Sequence, residues 1–145
     1  FETAVSEWPV VSAERDFTLT LDGSTVTGQI DAIVQSPDGE LQVLDYKATQ
    51  RKRSLDSDLQ LPLYLIACDE ILDDAVQTAG YVYVGDQGPA VETRSFDEAD
   101  LADRRREVVD LIDDIEQNDF SAYTAGEHCQ WCPHRSLPCS DDAGI

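Results

Sequence analysis

The alternation of apolar and polar residues along the first third of the chain predicts three β-strands. Residues 17–21 alternate Phe, Thr, Leu, Thr and Leu, and an Asp-Gly turn follows them. Residues 25–35 form the second predicted strand, which is closed by the turn sequence SPDG. Residues 40–48 are apolar on both faces, as is typical of a strand in the middle of a sheet.

The apolar spacing of the rest of the chain predicts two helices and two more strands. Leucine and isoleucine recur at helical spacing over 55–72, and Pro62 is expected in an early turn of that helix. Residues 76–84 and 90–96 are predicted strands, and 97–118 are predicted to form a long amphipathic helix. The order β-β-β-α-β-β-α predicts an α/β sandwich with mostly antiparallel hairpins rather than a doubly wound sheet.

The chain is strongly acidic, with 30 Asp and Glu residues against 10 Lys and Arg residues and a formal net charge of −20. Because Lys and Arg neutralise phosphates in nucleic-acid complexes, this balance taken alone argues against a DNA partner. Excess carboxylates are also typical of salt-adapted proteins, in which concentrated salt screens the repulsion between them. We interpret the composition as that of a halophilic archaeon, and an acidic interaction domain is the alternative.

The length of 145 residues fits one domain with a sizeable core. The chain contains no methionine and begins at Phe1, so we expect an N-terminally truncated fragment of a longer polypeptide. It has neither a basic-then-apolar leader nor a run of 18 apolar residues. We therefore expect a cytoplasmic protein with no membrane partner.

Two carboxylates and a lysine come together on the hairpin of the second and third predicted strands. A turn of three or five residues around Asp38 places Asp31 opposite Asp45, with Cβ atoms about 5 Å apart. Lys47 follows two residues later and lies on the same, otherwise apolar, face. Like charges this close need a cation or a proton, and Mg²⁺ prefers oxygen ligands. The alternative is an ordinary ion-paired hairpin in which Lys47 bridges to one of the two carboxylates.

The helix after this hairpin adds two polar residues. Gln60 and Tyr64 are four residues apart and share one helix face, where the alternative is a polar edge and a core tyrosine. The chain thus carries G-x-x-D ending at Asp31, D-Y-K ending at Lys47, and Q-x-x-x-Y ending at Tyr64. This combination resembles the RecB-like branch of the PD-(D/E)xK nuclease superfamily. That branch includes RecB/AddB-type helicase–nuclease domains and CRISPR-associated RecB-like exonucleases.

The resemblance implies a restriction-endonuclease-like α/β core, in which helices flank a central mixed sheet and an antiparallel hairpin carries the active site. It implies a Mg²⁺- or Mn²⁺-dependent deoxyribonuclease of the exonuclease type that acts on DNA in repair or recombination beside a helicase domain. The implied roles are metal ligation by Asp31, Asp45 and the Tyr46 carbonyl, catalysis by Lys47, and DNA contact or ordering of the metal ligands by Gln60 and Tyr64.

Some residues depart from the family pattern. Ala32 stands where an arginine commonly follows the first Asp. Many RecB-like members take a metal-binding histidine from an upstream helix, a place that neither His128 nor His134 occupies. Glu14 matches only weakly the acidic residue that often precedes the first strand. These departures keep a second hypothesis open, namely a catalytically inactive nuclease-like module that serves DNA binding or partner docking.

Three of the four cysteines lie close together near the C-terminus. Cys129, Cys132 and Cys139 resemble the C-terminal ligands of the [4Fe–4S] cluster in iron–sulfur RecB-like nucleases. A zinc site with His128 or His134 as its fourth ligand, or three free thiols, are the alternatives. Cys68 is expected in the core. We divide the chain into a nuclease domain over 1–122 and a cysteine-rich, cluster-binding C-terminal tail over 123–145.

Four of the ten basic residues fall within 47–53, directly after the third strand. We predict that Arg51, Lys52 and Arg53 contact DNA phosphates beside the metal, and a solvated loop is the alternative. The other cluster, Arg104-Arg105-Arg106, is predicted to pair with the Asp and Glu residues of its own helix.

Overall fold

The computed structural model describes residues 7–49, 51–72, 74–85, 90–117 and 130–131. Within these ranges the chain forms five strands and two helices in the predicted order. They are β1 (Val10–Leu21), β2 (Ser24–Gln35), β3 (Leu41–Lys47), α1 (Gln60–Ile71), β4 (Thr78–Tyr83), β5 (Ala90–Ser95) and α2 (Glu98–Gln117). No helix in the described ranges is both long and apolar enough to cross a membrane.

The chain divides into two compact units, Phe1–Ile112 and Asp113–Ile145. The first unit contains all five strands and α1. Of the second unit, only 113–117 and 130–131 are among the described residues. The predicted boundary between 122 and 123 lies outside them, so the division into a nuclease domain and a cluster-binding tail stays a prediction.

The strands form one mixed sheet in the order β1-β2-β3-β4-β5. The pairs β1–β2, β2–β3 and β4–β5 are antiparallel, whereas β3 and β4 are parallel. A parallel pair requires a crossover connection, and α1 lies in the crossover between β3 and β4. The central mixed sheet with an antiparallel hairpin and flanking helices is confirmed.

The main core lies on the face of the sheet that packs against helical residues. It includes Ile33 and Val43 from the sheet, Leu65 from α1 and Val108 from α2. A smaller apolar cluster on the other face comprises Ala32, Val34, Leu44 and Val82, with Trp8 and Val91 packed against it. Because β3 contributes to both clusters, its prediction as a central strand is confirmed.

The strand β2 changes the face that it presents to the main core next to Asp31. Ile30 and Ile33 both pack in that core although they are three residues apart, so the alternation of the strand is interrupted between them. Across the β1–β2 ladder, between Ala13↔Ala32 and Arg15↔Ile30, Glu14 has a left-handed φ of 49°. The β1–β2 register is the same on both sides of Glu14, so the irregularity is confined to the local backbone of these two strands.

The bounds of two elements differ from the prediction. The strand β1 begins at Val10, and its part before Phe17 is largely exposed, so no apolar alternation marked it in the sequence. Glu14 therefore lies inside β1 rather than before the first strand. The helix α1 begins at Gln60 instead of residue 55, because 55–57 form turns, and Pro62 lies in the first helical turn as expected.

Candidate active site

The hairpin of β2 and β3 brings the two candidate carboxylates to neighbouring positions. Its turn contains residues 36–40, and its ladder runs from Gln35↔Leu41 to Ala32↔Leu44, so Asp31 and Asp45 directly adjoin the last pair of the ladder. There the N–H of Tyr46 donates a hydrogen bond to Asp31 Oδ2 at 2.9 Å. The predicted juxtaposition of the two carboxylates on the hairpin is therefore present, and the Asp31 side chain fixes the end of β3.

Asp45 is a buried acidic residue, with 2% of its surface exposed. Its Oδ2 atom lies 2.6 Å from Lys47 Nζ but accepts no hydrogen bond of regular geometry. Burial raises the pKa of Asp45; the nearby Lys47 ammonium opposes that shift and the charge of Asp31 adds to it. The charge of Asp45 is thus only partly compensated within the protein.

The side-chain amide of Gln60 joins β3 to α1. Its Oε1 atom accepts a hydrogen bond from Lys47 Nζ at 3.0 Å. Its Nε2 atom donates to Asp45 Oδ1 at 3.1 Å and to the Tyr64 hydroxyl at 2.8 Å. Asp45, Lys47, Gln60 and Tyr64, here named the Gln60 cluster, therefore form one hydrogen-bonded group, as the two motifs suggested.

Tyr64 is held in place by an aromatic contact with β1. Its ring meets Phe17 edge to face, with centroids 5.9 Å apart and planes at 75°. Gly28 pairs with Phe17 across the β1–β2 ladder, and a Cβ atom at Gly28 would lie 2.7 Å from the Phe17 ring. The glycine of the G-x-x-D motif thus leaves room for the ring that supports Tyr64.

The sequence reasoning missed Asp58, which lies just before α1. Its Oδ1 atom accepts a hydrogen bond from the Gln60 N–H at 2.8 Å, and its Oδ2 atom lies 3.1 Å from Arg53 Nη1. Burial by itself raises the pKa of Asp58, but the hydrogen bonds from the Gln60 N–H and from Arg53 oppose that rise, and the pKa lies below its ordinary value. An Asp two residues before the helical Gln60 was the available signal, because such residues favour helix starts.

Two tyrosines of β4 were also missed. The Tyr81 ring is fully buried, and Lys47 Nζ lies 5.4 Å from its centroid. The Tyr83 hydroxyl accepts a hydrogen bond from the Arg53 N–H at 2.8 Å. Both residues belong to an apolar strand, so nothing in the sequence distinguished them from ordinary core residues.

The basic residues after β3 are exposed, and two of them form ion pairs. Lys52 pairs with Glu92, and Arg53 pairs with Asp58. Arg51 forms no ion pair within the described part of the chain. On α2, the predicted pairing is confirmed for two arginines, as Arg104 contacts Glu107 and Arg106 contacts Asp103.

A family model described as the PD-(D/E)XK nuclease superfamily matches residues 1–137. The chain belongs to this superfamily. It is 32% identical over 132 residues to the gene 69 protein of Mycobacterium phage L5. The matched region covers 87% of this chain and 43% of the phage protein. The crystal structure of SSO0001 is similar with a TM-score of 0.54 and 20% identity, over 89% of this chain and 61% of that one, and supports the fold.

PD-(D/E)XK nucleases generally use divalent metal ions such as Mg²⁺. Asp31 and Asp45 fit such an ion, because Mg²⁺ is commonly held by one or two carboxylates while it keeps several waters. The buried Oδ2 atom of Asp45, which lacks a regular hydrogen bond, also fits this use. Within the described ranges, no group of three or more His, Cys, Asp or Glu residues is arranged to hold a metal.

The cysteine predictions have different outcomes. Cys68 is fully buried in the main core, as expected, and burial raises its pKa to about 12. The predicted cluster ligands Cys129, Cys132 and Cys139 lie outside the described residues, as do His128 and His134.

Proposed function

We propose that this chain is the nuclease domain of a DNA-processing enzyme and hydrolyses phosphodiester bonds with Mg²⁺ or Mn²⁺. The observation that carries the proposal is the Gln60 cluster. It places a buried carboxylate and a lysine of β3 in hydrogen-bond contact with an amide of α1, beside a second carboxylate, Asp31. An ordinary ion-paired hairpin does not require the additional contacts to Gln60 and Tyr64.

In this proposal Asp31, Asp45 and the Tyr46 carbonyl hold the metal ion. The bound ion supplies Lewis-acid chemistry: it acidifies a water molecule and neutralises charge on the phosphate. The hydrogen bond between the Tyr46 N–H and Asp31 fixes one carboxylate. The bond from Gln60 Nε2 fixes the other carboxylate, on Asp45.

Lys47 is the proposed catalytic lysine. Its ammonium group is held between Asp45 Oδ2 and Gln60 Oε1 and lies over the Tyr81 ring. From this position it donates a hydrogen bond to the attacking water or to a phosphate oxygen. Its positive charge offsets the negative charge that develops in the transition state. Gln60 and Tyr64 act here by orienting Asp45 and Lys47.

We also propose which residues contact DNA, that the chain belongs to the RecB-like branch of the superfamily, and that it is part of a larger protein. Exposure of Arg51, Lys52 and Arg53 after β3 supports phosphate contact beside the metal. The D-Y-K and Q-x-x-x-Y motifs support the RecB-like branch and, with it, exonuclease action within a helicase–nuclease. The chain spans 43% of the gene 69 protein, so the proposal concerns one domain of a larger repair or recombination protein.

The test is degradation of linear and circular DNA, single- and double-stranded, with Mg²⁺ or Mn²⁺. We expect metal-dependent cleavage that Asp45→Ala and Lys47→Ala each abolish and that EDTA prevents. Gln29→Ala is the control, because the Gln29 side chain is exposed and donates a hydrogen bond to Asp16, away from the Gln60 cluster. Cleavage of linear but not circular DNA is the exonuclease result. Equal activity in the wild type and both active-site variants, or no activity in the full-length protein, would refute the proposal.

A second candidate is the inactive module for DNA binding or partner docking. Ala32 and the presence of only two suitable carboxylates in the described site favour it. Titration with Mn²⁺ separates the two candidates. The nuclease binds Mn²⁺ in a way that Asp31→Ala and Asp45→Ala abolish, whereas the inactive module has no need for that binding.

For the tail, we propose that Cys129, Cys132 and Cys139 are ligands of a [4Fe–4S] cluster in the full-length protein, with zinc as the alternative. The support is their spacing in the sequence. Anaerobic purification of the full-length protein tests it. A brown protein with visible iron–sulfur absorbance is expected, and a colourless protein with stoichiometric zinc overturns the cluster.

A further inference from the structure

We infer that Asp58 is a positioning residue of this nuclease: it holds the first turn of α1 so that Gln60 meets Lys47 and Asp45 together. The inference rests on the proposed function and extends it to a residue outside the G-x-x-D, D-Y-K and Q-x-x-x-Y motifs. It follows from the contacts that the Asp58 carboxylate makes with Gln60 and with Arg53.

The first contact of Asp58 is with the backbone of Gln60. Oδ1 accepts the Gln60 N–H at 2.8 Å, which satisfies one of the amides that a helix leaves without a partner at its start. Leu59, at the N-cap position, provides no side-chain hydrogen bond of its own. Asp58, one residue before the N-cap position, therefore caps the helix with its side chain. It thereby fixes the backbone of Gln60, whose side chain enters the Gln60 cluster.

The second contact joins Asp58 to β4 through Arg53. The Asp58 Oδ2 atom pairs with Arg53 Nη1, and the N–H of that same Arg53 is held by the Tyr83 hydroxyl of β4. Tyr81 lies on the same strand as Tyr83, and its ring lies beneath Lys47. The carboxylate of Asp58 thus ties the start of α1 to the strand that supports Lys47.

The rest of the connection between β3 and α1 is anchored independently of Asp58. Arg94 contacts the Leu55 carbonyl at 3.4 Å and Asp56 Oδ1 at 2.7 Å, and Arg104 contacts the Asp56 carbonyl. The Asp56 side chain is 87% exposed and none of its contacts reaches Gln60. Asp56 is therefore a matched control for Asp58. It lies two residues before Asp58 and also pairs with an arginine, but it does not contact the Gln60 cluster.

The positioning role predicts a defined pattern of activity. Asp58→Ala is expected to lower kcat about 10- to 100-fold, a usual loss when an outer hydrogen-bond partner of a metal site is removed. KM should stay within about twofold, because substrate binding is untouched. Asp58→Asn keeps an oxygen acceptor for the Gln60 N–H but loses the ion pair with Arg53, so it should recover part of the rate. Asp56→Ala should match the wild type.

Coupling to Gln60 distinguishes positioning from a general loss of stability. In a Gln60→Ala background, the further change Asp58→Ala should cost little additional kcat, because the two residues act through one interaction. The inference is overturned if Asp58→Ala keeps wild-type kcat, or if its effect is equally large in the Gln60→Ala background.

A measurement on the metal-free protein makes the inference independent of cleavage. In the wild type, the Gln60 side-chain N–H groups are donated to Asp45 and Tyr64, so their NMR signals should exchange slowly with water. Asp58→Ala should speed that exchange, whereas Asp56→Ala and Asp58→Asn should not. Unchanged exchange in a folded Asp58→Ala protein overturns the inference. A wild type that cuts no DNA counts against the proposed function alone.

Discussion

The ammonium nitrogen of Lys47 lies 2.6 Å from the buried carboxylate oxygen Oδ2 of Asp45. This ion pair does not fully compensate the burial of Asp45, whose pKa remains raised mainly because the carboxylate is out of water. Removal of the charge is therefore expected to stabilise the metal-free fold even though it removes a proposed metal ligand. Stability and chemistry make opposite demands on this position.

The first prediction concerns Asp45→Asn in the metal-free protein. A carboxylate with a raised folded-state pKa costs stability above that pKa, and the cost vanishes as pH falls below the unfolded value of about 3.9. At pH 7 the variant should therefore be more stable than the wild type and unfold at a higher Tm. Thermal unfolding in EDTA from pH 7 to pH 4 measures it.

The gain from Asp45→Asn should shrink towards acid pH, because the wild-type carboxylate then takes up a proton. Asp38→Asn, in the exposed β2–β3 turn, is the control and should leave Tm unchanged. A variant that is less stable than the wild type at pH 7, or a gain that grows towards pH 4, contradicts the argument.

The second prediction concerns the close approach of Gly28 and Phe17. A methyl group at Gly28 would lie 2.7 Å from the ring, so Gly28→Ala displaces Phe17 and with it the support of Tyr64. Overpacking of this kind costs about 1–3 kcal/mol, which urea unfolding measures.

A double variant provides the control for that prediction. Phe17→Leu, which shortens the reach of the side chain, should recover part of the stability in the Gly28→Ala background. Additive losses in the double variant would show that the ring is not what Gly28 accommodates.

The third prediction concerns the charge state of residue 60. Gln60→Glu replaces the Nε2 donor to Asp45 Oδ1 with a second carboxylate oxygen and retains an acceptor for Lys47. Repulsion from Asp45 should lower kcat at pH 7 about 10- to 100-fold, as for other outer partners of a metal site. The readout is the pH–rate profile, in which the lost activity should partly return as pH falls and one carboxylate is protonated. A flat ratio of variant to wild type across pH would contradict it.

The fourth prediction separates the three basic residues after β3. Arg51 forms no ion pair within the described ranges, whereas Lys52 and Arg53 pair with Glu92 and Asp58. Arg51→Ala should therefore weaken DNA binding and reduce the slope of log affinity against log salt by about 1, without a change in Tm. Arg53→Ala should lower kcat as well, through Asp58. DNA affinity measured at several salt concentrations tests the first variant, and kcat tests the second. An unchanged slope for Arg51→Ala would show that Arg51 does not contact DNA.

Much of the fold was predictable because its strongest signals are local. The apolar pattern identified every described element, and residues 40–48 showed a central strand. The early part of β1 was missed because an edge segment paired only through its backbone needs no apolar alternation. The change of face in β2 between Ile30 and Ile33 was also missed, since strict alternation is the assumption on which strand patterns rest.

The candidate-site residues that belong to a sequence motif were predictable. Those that reach the site only through the three-dimensional fold were not. Asp31, Asp45, Lys47, Gln60 and Tyr64 were selected by their spacing together with the family resemblance, and the structure brings four of them into one cluster with Asp31 beside it. Tyr81 and Tyr83 contact Lys47 and Arg53 from β4, and no spacing rule links residues so far apart in the chain. Asp58 lies two residues before Gln60, but only the structure shows that its side chain accepts the Gln60 N–H.

The parallel pair of β3 and β4 divides the site between two stretches of chain. One stretch, β1 to β3, carries Asp31, Asp45 and Lys47; the other, α1 to β5, carries Gln60 and Tyr64. A cut in the exposed connection at Arg51 would leave every antiparallel hairpin whole and separate these two sets of side chains. Neither piece would hold a complete site alone, so recovered cleavage on mixing would report their reassociation, as in a split-enzyme reporter.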